Sequence, residues 1–437
     1  MDRHDDPSGI IHWFRNAAPY VHQHRGRTFV VFFSGAAVDS DSFDPLVHDL
    51  GLLHALGIRL VLVHGARPQI ERRLALEGIE PHYAQGLRVT DGKAMERVIE
   101  AVGRVRVWIE ARLTLSLANT PMSGSRIRVS SGNFLWARPL GVRDGVDFQH
   151  TGEVRKVDVP ALRQQLDQGQ CVLLSPLGYS PTGEVFNLSG EEVAAHTAGA
   201  LEADKLILLN DEDYREPLPP QLDLNGLALW LDKPDLPPTL RRHLESARAA
   251  LQAGVARCHI VSRHIDGGLL QELFTRDGVG TLVTSGGYEG LRPATIDDVG
   301  GILELIKPLE AAGALVKRSR EQLELEIDHF FVIERDGLIV ACAALYPFPE
   351  EQAGELACLA VHPDYRGAGR GDQLLHHIEA HARRMGLARL FVLSTQTMHW
   401  FQERGYLPGD LADLPVARAR LYNYQRQSRI FVKNLRG

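Results

Sequence analysis

The chain has 437 residues, more than one hydrophobic core accommodates, so two or more domains are expected. Apolar content of 44% and charged content of 24% describe an ordinary globular protein, and a net charge of −7 argues against a general binder of nucleic acid or membrane surfaces. No uncharged apolar run approaches the ~18–20 residues of a membrane span, and the opening MDRHDDPSG lacks the apolar core of a secretory signal, so a cytoplasmic protein is expected.

In chain order, IIHWFRNAAPYVHQHRGRTF spaces its apolar residues as a helix within residues 1–27. FVVFFSGAAV (29–38) reads as a buried strand ending in a loop of small residues. That is the form of a phosphate loop, yet no cation lies between Thr28 and Val38. As far as Thr284, strand-like runs at 59–66, 170–178, 205–211, 257–262 and 280–285 alternate with helical patterns. Such alternation indicates a three-layer α/β domain, its mainly parallel sheet covered on both faces. A Pro-rich segment at 215–238 interrupts the pattern and reads as a surface excursion. SGGYEG (285–290) breaks it with three glycines, which assigns a first domain to 1–285, a linker to 286–290 and a smaller α+β domain to 291–437. The four cysteines, Cys171, Cys258, Cys342 and Cys358, show no C-x-x-C spacing, so isolated buried thiols are expected rather than disulfides or a metal site.

The second domain opens with LRPATIDDVGGILELI, where Thr295 and Asp298 are spaced as a capping box. Its most informative stretch is ELACLAVHPDYRGAGRGDQLLHHIEAHARRMG (355–386). A strand from Glu355 to Val361 leads into Arg366-x-x-Gly369-x-Gly371 and a helix with Leu374, Leu375 and Ile378 on one side. Glycines at such a turn expose consecutive N–H groups at a helix N-terminus, where a pyrophosphate binds well, and Arg366 and Arg370 add positive charge.

This stretch resembles motif A of GNAT-type N-acetyltransferases, and ARLFVLSTQTMHWFQERGYLP is similar to the strand, helix and strand that follow in that fold. The resemblance implies acetyl-CoA as co-substrate, held around Leu359, Val361, Arg366, Gly367, Gly369, Arg370 and Gly371. An amine must lose a proton as it attacks a thioester. Glu355 is the expected base, and Ser394 the expected donor to the departing thiolate, with Tyr422 or Tyr424 as rivals. Backbone N–H groups near Leu359 to Val361 are expected to polarise the thioester carbonyl. Two basic clusters flank the acceptor side: Lys317, Arg318 and Arg320, and Arg426 and Arg429 around Ser428. Guanidinium groups suit carboxylates, so the residues themselves reach as far as a small anionic amine, with solvated surface charge as the alternative.

CAALYPFPEE, ELACLAVHPDYR, HWFQERGY and LYNYQRQSRI together resemble the bacterial N-acetylglutamate synthase family, in which an amino-acid-kinase-like domain precedes the GNAT domain. That resemblance implies L-glutamate as acceptor, in the first step of arginine biosynthesis, with Lys317, Arg318, Arg426 and Ser428 as substrate ligands. It also implies a homo-oligomer, a ring-like hexamer built on kinase-domain contacts, with no metal. LVLVHGARPQI and GEVFNLSGEEVAAHTAGALEADKLILLND resemble amino acid kinase segments, each damaged where phosphoryl transfer needs it. Phe33 stands at the lysine, Ala36 and Arg67 at glycines, and Ser189 at an acidic position, so kinase activity is expected to be lost. CHIVSRHIDGGLLQELFTRDGVGTLV resembles the arginine-binding segment of such proteins. It implies feedback by L-arginine, with Glu272 on the guanidinium, Gly278 and Gly280 on the α-carboxylate and Tyr20 beside them. A bifunctional acetyltransferase and kinase, and a sensor of arginine and CoA without catalysis, remain alternatives at this point.

Overall fold

The structure, a computed structural model, describes residues 7–114, 127–211, 218–285, 289–335, 337–367, 369–395, 398–422 and 428–435. The chain divides into two compact units between Gly286 and Gly287. Among the described residues, no helix is long and apolar enough to cross a membrane.

In the first unit, strand Thr28–Phe33 sits inside an eight-stranded sheet. Its period-2 alternation sends Phe29, Val31 and Phe33 into one core and Val30 and Phe32 into another, all of them buried. A strand with helices on both faces needs apolar residues at every position, which is why FVVFF runs unbroken. Arg59–His64 and Lys205–Asn210 pair parallel on either side of it. Cys171–Leu174 and Val129–Ser130 extend one wing, and Arg257–Ser262, Thr281–Thr284 and Gln221–Leu222 the other. The pairing of Arg257–Ser262 with Thr281–Thr284 is antiparallel. A separate four-stranded sheet runs Val185–Asn187, Leu177–Tyr179, Leu135–Pro139, Gly152–Val157. The Pro-rich segment is more than a surface excursion. Gln221–Leu222 forms the edge strand, and the following helix Leu224–Leu231 buries Leu227 and Leu231, because these leucines make an apolar stripe that must be covered.

The second unit is built on a seven-stranded sheet in the order Glu289–Pro293, Phe330–Arg335, Leu338–Phe348, Ala353–Val361, Arg389–Ser394, Arg429–Asn434, Leu407–Gly409. Its first strand begins at Glu289, inside the stretch read as linker, because Glu289 and Gly290 pair with Arg335 and Glu334. The expected capping box is present: Thr295 and Asp298 satisfy each other's backbone, and Arg292 grips the Asp298 carboxylate at 2.7 and 2.8 Å. Helix Arg370–Arg384 packs Leu374, Leu375 and Ile378 on one face of this sheet, and helix Val299–Ala311 packs Val299, Ile302 and Ile306 within a second core.

Candidate active site

Among the described residues, all pairings in the seven-stranded sheet are antiparallel except one. Ala353–Val361 runs parallel to Arg389–Ser394, and their register covers only Ala353↔Arg389, Gly354↔Leu390 and Glu355↔Phe391. Beyond Glu355 the two strands part. Peptide groups facing the gap have no ladder partner there among the described residues, so an extended chain carrying amides can pair with them. On its other edge the same strand is bulged: Cys342 pairs with Ala360 and Ala344 with Ala357, leaving Cys358 and Leu359 opposite Ala343. Cys358 takes φ +54°, the left-handed region, and the bulge turns the following peptides out of the ordinary ladder direction. Half-buried Leu359 and Val361 stand in this re-aimed stretch.

Glu355 lies at the fork, buried, and does not stand alone. Arg418, on the short helix Val416–Ala419, donates through Nε and Nη2 to its two oxygens at 2.6 and 3.0 Å. Opposite Glu355 in register is Tyr346, whose hydroxyl donates to Glu326 at 2.5 Å. Burial and that hydrogen bond push the Tyr346 phenol above its ordinary range, so it remains a donor. Arg318 packs beside Cys358, Tyr346 and Glu326, and its Nε is buried without a hydrogen-bond partner among the described residues. Lys317 is exposed. Ser394, also buried, ends strand Arg389–Ser394 opposite Arg429. Alternation puts Ser394 on the face of Leu390 and Val392, with helix Arg370–Arg384, and Glu355 on the opposite face, with Ala353 and Phe391. Tyr422 donates to the carbonyl of buried Ser428, which ties the two together. Tyr424 and Arg426 lie outside the described residues.

The glycine turn takes the expected form. Gly367 and Gly369 adopt φ +85° and +74°, conformations a side chain resists. Gly369 is the N-cap of the 15-residue helix Arg370–Arg384, and no side chain caps it, so the first-turn N–H groups are open to an anion. Gly371 faces Trp400, which a Cβ would meet at 3.2 Å. Arg366 donates to the Val361 carbonyl at 3.3 Å, and Arg370 to the Tyr365 carbonyl at 2.7 Å.

In the first unit the residues at the damaged kinase positions serve the fold. Phe33 is fully buried. Burial holds the His64 imidazole neutral, with its pKa lowered to about 4, between the Gly65 carbonyl and the Ser175 hydroxyl at 3.0 and 2.9 Å. Ser189 is the N-cap of helix Gly190–Leu201. Glu272 and the Gly278–Gly280 turn are brought together, but by binding each other. Glu272 Oε2 accepts from the N–H groups of Val279 and Gly280 at 2.8 Å each, and Oε1 lies 2.6 Å from His259 Nδ1. Burial and Lys205 lower the His259 pKa to about 4, so a neutral ring donates Nδ1–H to Glu272 and accepts from Lys205 at 3.3 Å. Two donors of that turn, the Val279 and Gly280 N–H groups, are therefore already taken. Tyr20, on helix Pro7–His24, sets its ring 6.2 Å from and tilted to that of His24, which bonds the Leu273 carbonyl at 2.8 Å, so this helix lies beside the Glu272 segment.

Two family models match this chain: Amino acid kinase family over residues 27–218, and Acetyltransferase (GNAT) family over 301–406. An amino-acid acetyltransferase of Ectopseudomonas mendocina is 55% identical over 434 residues, covering 97% of this chain and 99% of the relative. One from Azotobacter vinelandii is 55% identical over 437 residues with the same coverage. The crystal structure of N-acetylglutamate synthase from Neisseria gonorrhoeae complexed with coenzyme A and L-arginine is 42% identical, with a TM-score of 0.90 over 98% of this chain and 99% of that one. The chain belongs to the amino-acid acetyltransferase (N-acetylglutamate synthase) family. A second structure of the Neisseria protein, with coenzyme A and N-acetyl-glutamate, aligns over the same share of both chains with a TM-score of 0.62. Sequence reasoning missed two residues at the fork of this acetyltransferase. Arg418 stands 63 positions after Glu355 in an unremarked basic stretch, and Tyr346 is legible only once the strands are in register.

Proposed function

We propose that this acetyltransferase moves the acetyl group of acetyl-CoA to the α-amine of L-glutamate, giving N-acetyl-L-glutamate and CoA. The observation that carries the reading is the parting of Ala353–Val361 from Arg389–Ser394 just beyond Glu355. In this reading the pantetheine arm of acetyl-CoA pairs with the open edge, and the uncapped helix N-terminus after Gly369 takes the pyrophosphate, flanked by Arg366 and Arg370. Glu355 accepts the ammonium proton as the amine attacks, and the re-aimed amides near Leu359 receive the developing oxyanion. Arg418 holds each Glu355 oxygen through a single hydrogen bond, which leaves a lone pair on each to receive the proton of an amine arriving beside the guanidinium. Arg318, Lys317, Arg426 and Ser428 complete that acceptor side. Ser394, on the face of the phosphate-loop helix, protonates the leaving thiolate, so donor and acceptor chemistry stand on opposite faces of the sheet. Release of free CoA thiol from acetyl-CoA that depends on L-glutamate tests this; release that ignores the amine, or none, would sink it.

The first unit, in the same reading, binds L-arginine as a regulatory ligand beside Glu272 and Tyr20. A bound arginine there has to replace the internal contact of Glu272 with Val279 and Gly280, and so shifts the balance between two arrangements of this turn. Exposed Trp13 and Phe14 on helix Pro7–His24 favour assembly of several copies. Arginine added to the full chain, with turnover and binding measured together, decides whether the unit is regulatory.

A further inference from the structure

Tyr346 shares a face of the sheet with Glu355, because strands Leu338–Phe348 and Ala353–Val361 pair the two residues directly. It is half-buried, and the centre of the His329 ring lies 5.0 Å from that of its own. Its hydroxyl has one proton, which goes to Glu326 Oε2 at 2.5 Å. Glu326 is held in turn. It ends helix Arg320–Glu326, and Gln322, one turn earlier, donates to its other oxygen at 3.1 Å. Leu323 of the same helix is fully buried, which fixes this turn on the core. The phenol therefore has a set polarity. With its proton committed to Glu326, its oxygen offers only lone pairs to any other neighbour.

That neighbour is Arg318, whose guanidinium lies beside the phenol. The Arg318 backbone is anchored, since Ser319 caps the same helix and the Arg318 N–H donates to Glu310 at 2.8 Å. The side chain is held far less firmly. Nη1 donates to the Val316 carbonyl at 3.3 Å, and Nε is buried without a hydrogen-bond partner among the described residues. A planar fork captures a carboxylate only when its plane is aimed, so a fork this loosely held needs an acceptor beside it. Tyr346 is that acceptor by position and by polarity. The phenol cannot receive the carboxylate itself, because it would present lone pairs to an anion.

We propose that Tyr346, its proton tied to Glu326, is a positioning residue that sets the plane of Arg318 for a carboxylate of the acceptor. It acts through Arg318, and so rests on the reading of Arg318 as a ligand of L-glutamate. Initial-rate thiol release by the full chain, with L-glutamate and acetyl-CoA varied separately, tests it. Tyr346→Phe should raise the KM for L-glutamate at least ~10-fold, the loss of one hydrogen bond to a charged group. The KM for acetyl-CoA should stay within about 2-fold and kcat within about 3-fold, a split that general loosening of the fold would not give. Glu326→Ala frees the phenol proton and should raise the glutamate KM as well. Glu326→Gln keeps an acceptor oxygen for that proton and should restore most of the wild-type value. In an Arg318→Lys background, where the charge stays and the fork is gone, Tyr346→Phe should move the KM by less than about 2-fold. A glutamate KM within about 2-fold of wild type in Tyr346→Phe, or an undiminished effect in the Arg318→Lys background, would overturn the proposal and leave the glutamate reading standing. Wild-type thiol release that ignores L-glutamate would sink that reading, and the role of Tyr346 with it. Should Tyr346→Phe fail to fold, the contrast between Glu326→Ala and Glu326→Gln decides by itself: equal glutamate KM values in the two would overturn the proposal.

Discussion

Glu355→Gln separates the proposed base from everything else the fork does. The amide keeps the size of the carboxylate and one acceptor oxygen, so Arg418 retains one of its two hydrogen bonds and meets an N–H₂ in place of the other. Arg418 and Glu355 are 22% and 10% exposed, so the guanidinium is partly desolvated and weakening its hydrogen bonds to a charged partner costs about 1–3 kcal/mol of stability. The variant therefore stays folded at 25 °C and melts several degrees lower. Its turnover is another matter. Loss of a positioned base typically slows proton transfer by ~10²–10⁴, a barrier increase of roughly 3–5 kcal/mol. The proposed acetyl-CoA site uses the helix after Gly369 and the strand beyond the fork, so the KM for acetyl-CoA should move by less than about 2-fold while kcat collapses. Raising the pH should restore part of the rate, because more of the amine then arrives already deprotonated. The assay is initial-rate thiol release over a pH series, with acetyl-CoA binding followed by calorimetry. A kcat within about fivefold of wild type, or a loss that pH leaves untouched, would refute the assignment of Glu355 as base.

Asp298 gives a pH dependence with a definite sign: the Arg292 guanidinium, opposed by partial burial and helped by Thr295, depresses its pKa from 3.8 to about 2. This carboxylate therefore contributes about 2 kcal/mol above pH 4, lost as pH falls through 2, and denaturant unfolding of Asp298→Ala should show that loss at pH 7 and little at pH 2. Gly278→Ala places a Cβ 2.3 Å from the Glu272 carboxylate at a residue with φ +62°, so it should break the closed turn, cost about 1–2 kcal/mol or more, and change the response to arginine. An unchanged melting curve would mean the turn is not closed in solution. Phe33→Lys should fail to restore kinase activity, measured as ADP release, and should cost about 3 kcal/mol or more, because position 33 is fully buried in the sheet core. Recovered ADP release would show that the site is silent only for want of that cation.

What was legible in the sequence was what the backbone enforces. The glycine turn could be read because Gly367 and Gly369 occupy φ values that other residues avoid, and the two-faced sheet because Phe29 to Phe33 are apolar at every position. The edge strand at Gln221–Leu222 was hidden by its prolines, although its leucines held the signal. Arg418 was hidden for a different reason: its meaning comes from a helical turn laid beside a strand 63 residues earlier, and nothing local distinguishes it from other surface arginines.

The two carboxylates assigned to ligands share a further property that a sequence cannot express. Glu355 is held by Arg418, and Glu272 by His259 and the amides of Val279 and Gly280. A buried carboxylate left without partners would cost several kcal/mol, so each must have a stand-in drawn from the chain itself. The stand-in also sets the terms of binding. In the proposed reading, an acceptor with a carboxylate gives Arg418 a second anionic partner as Glu355 takes up the proton, and an amine without one leaves the guanidinium poorly paired. That pairing would favour an amino acid over a simple amine, in addition to any contact from Arg318. Motif reading assigns each residue to a ligand and so misses that, inside the fold, such residues first answer to one another.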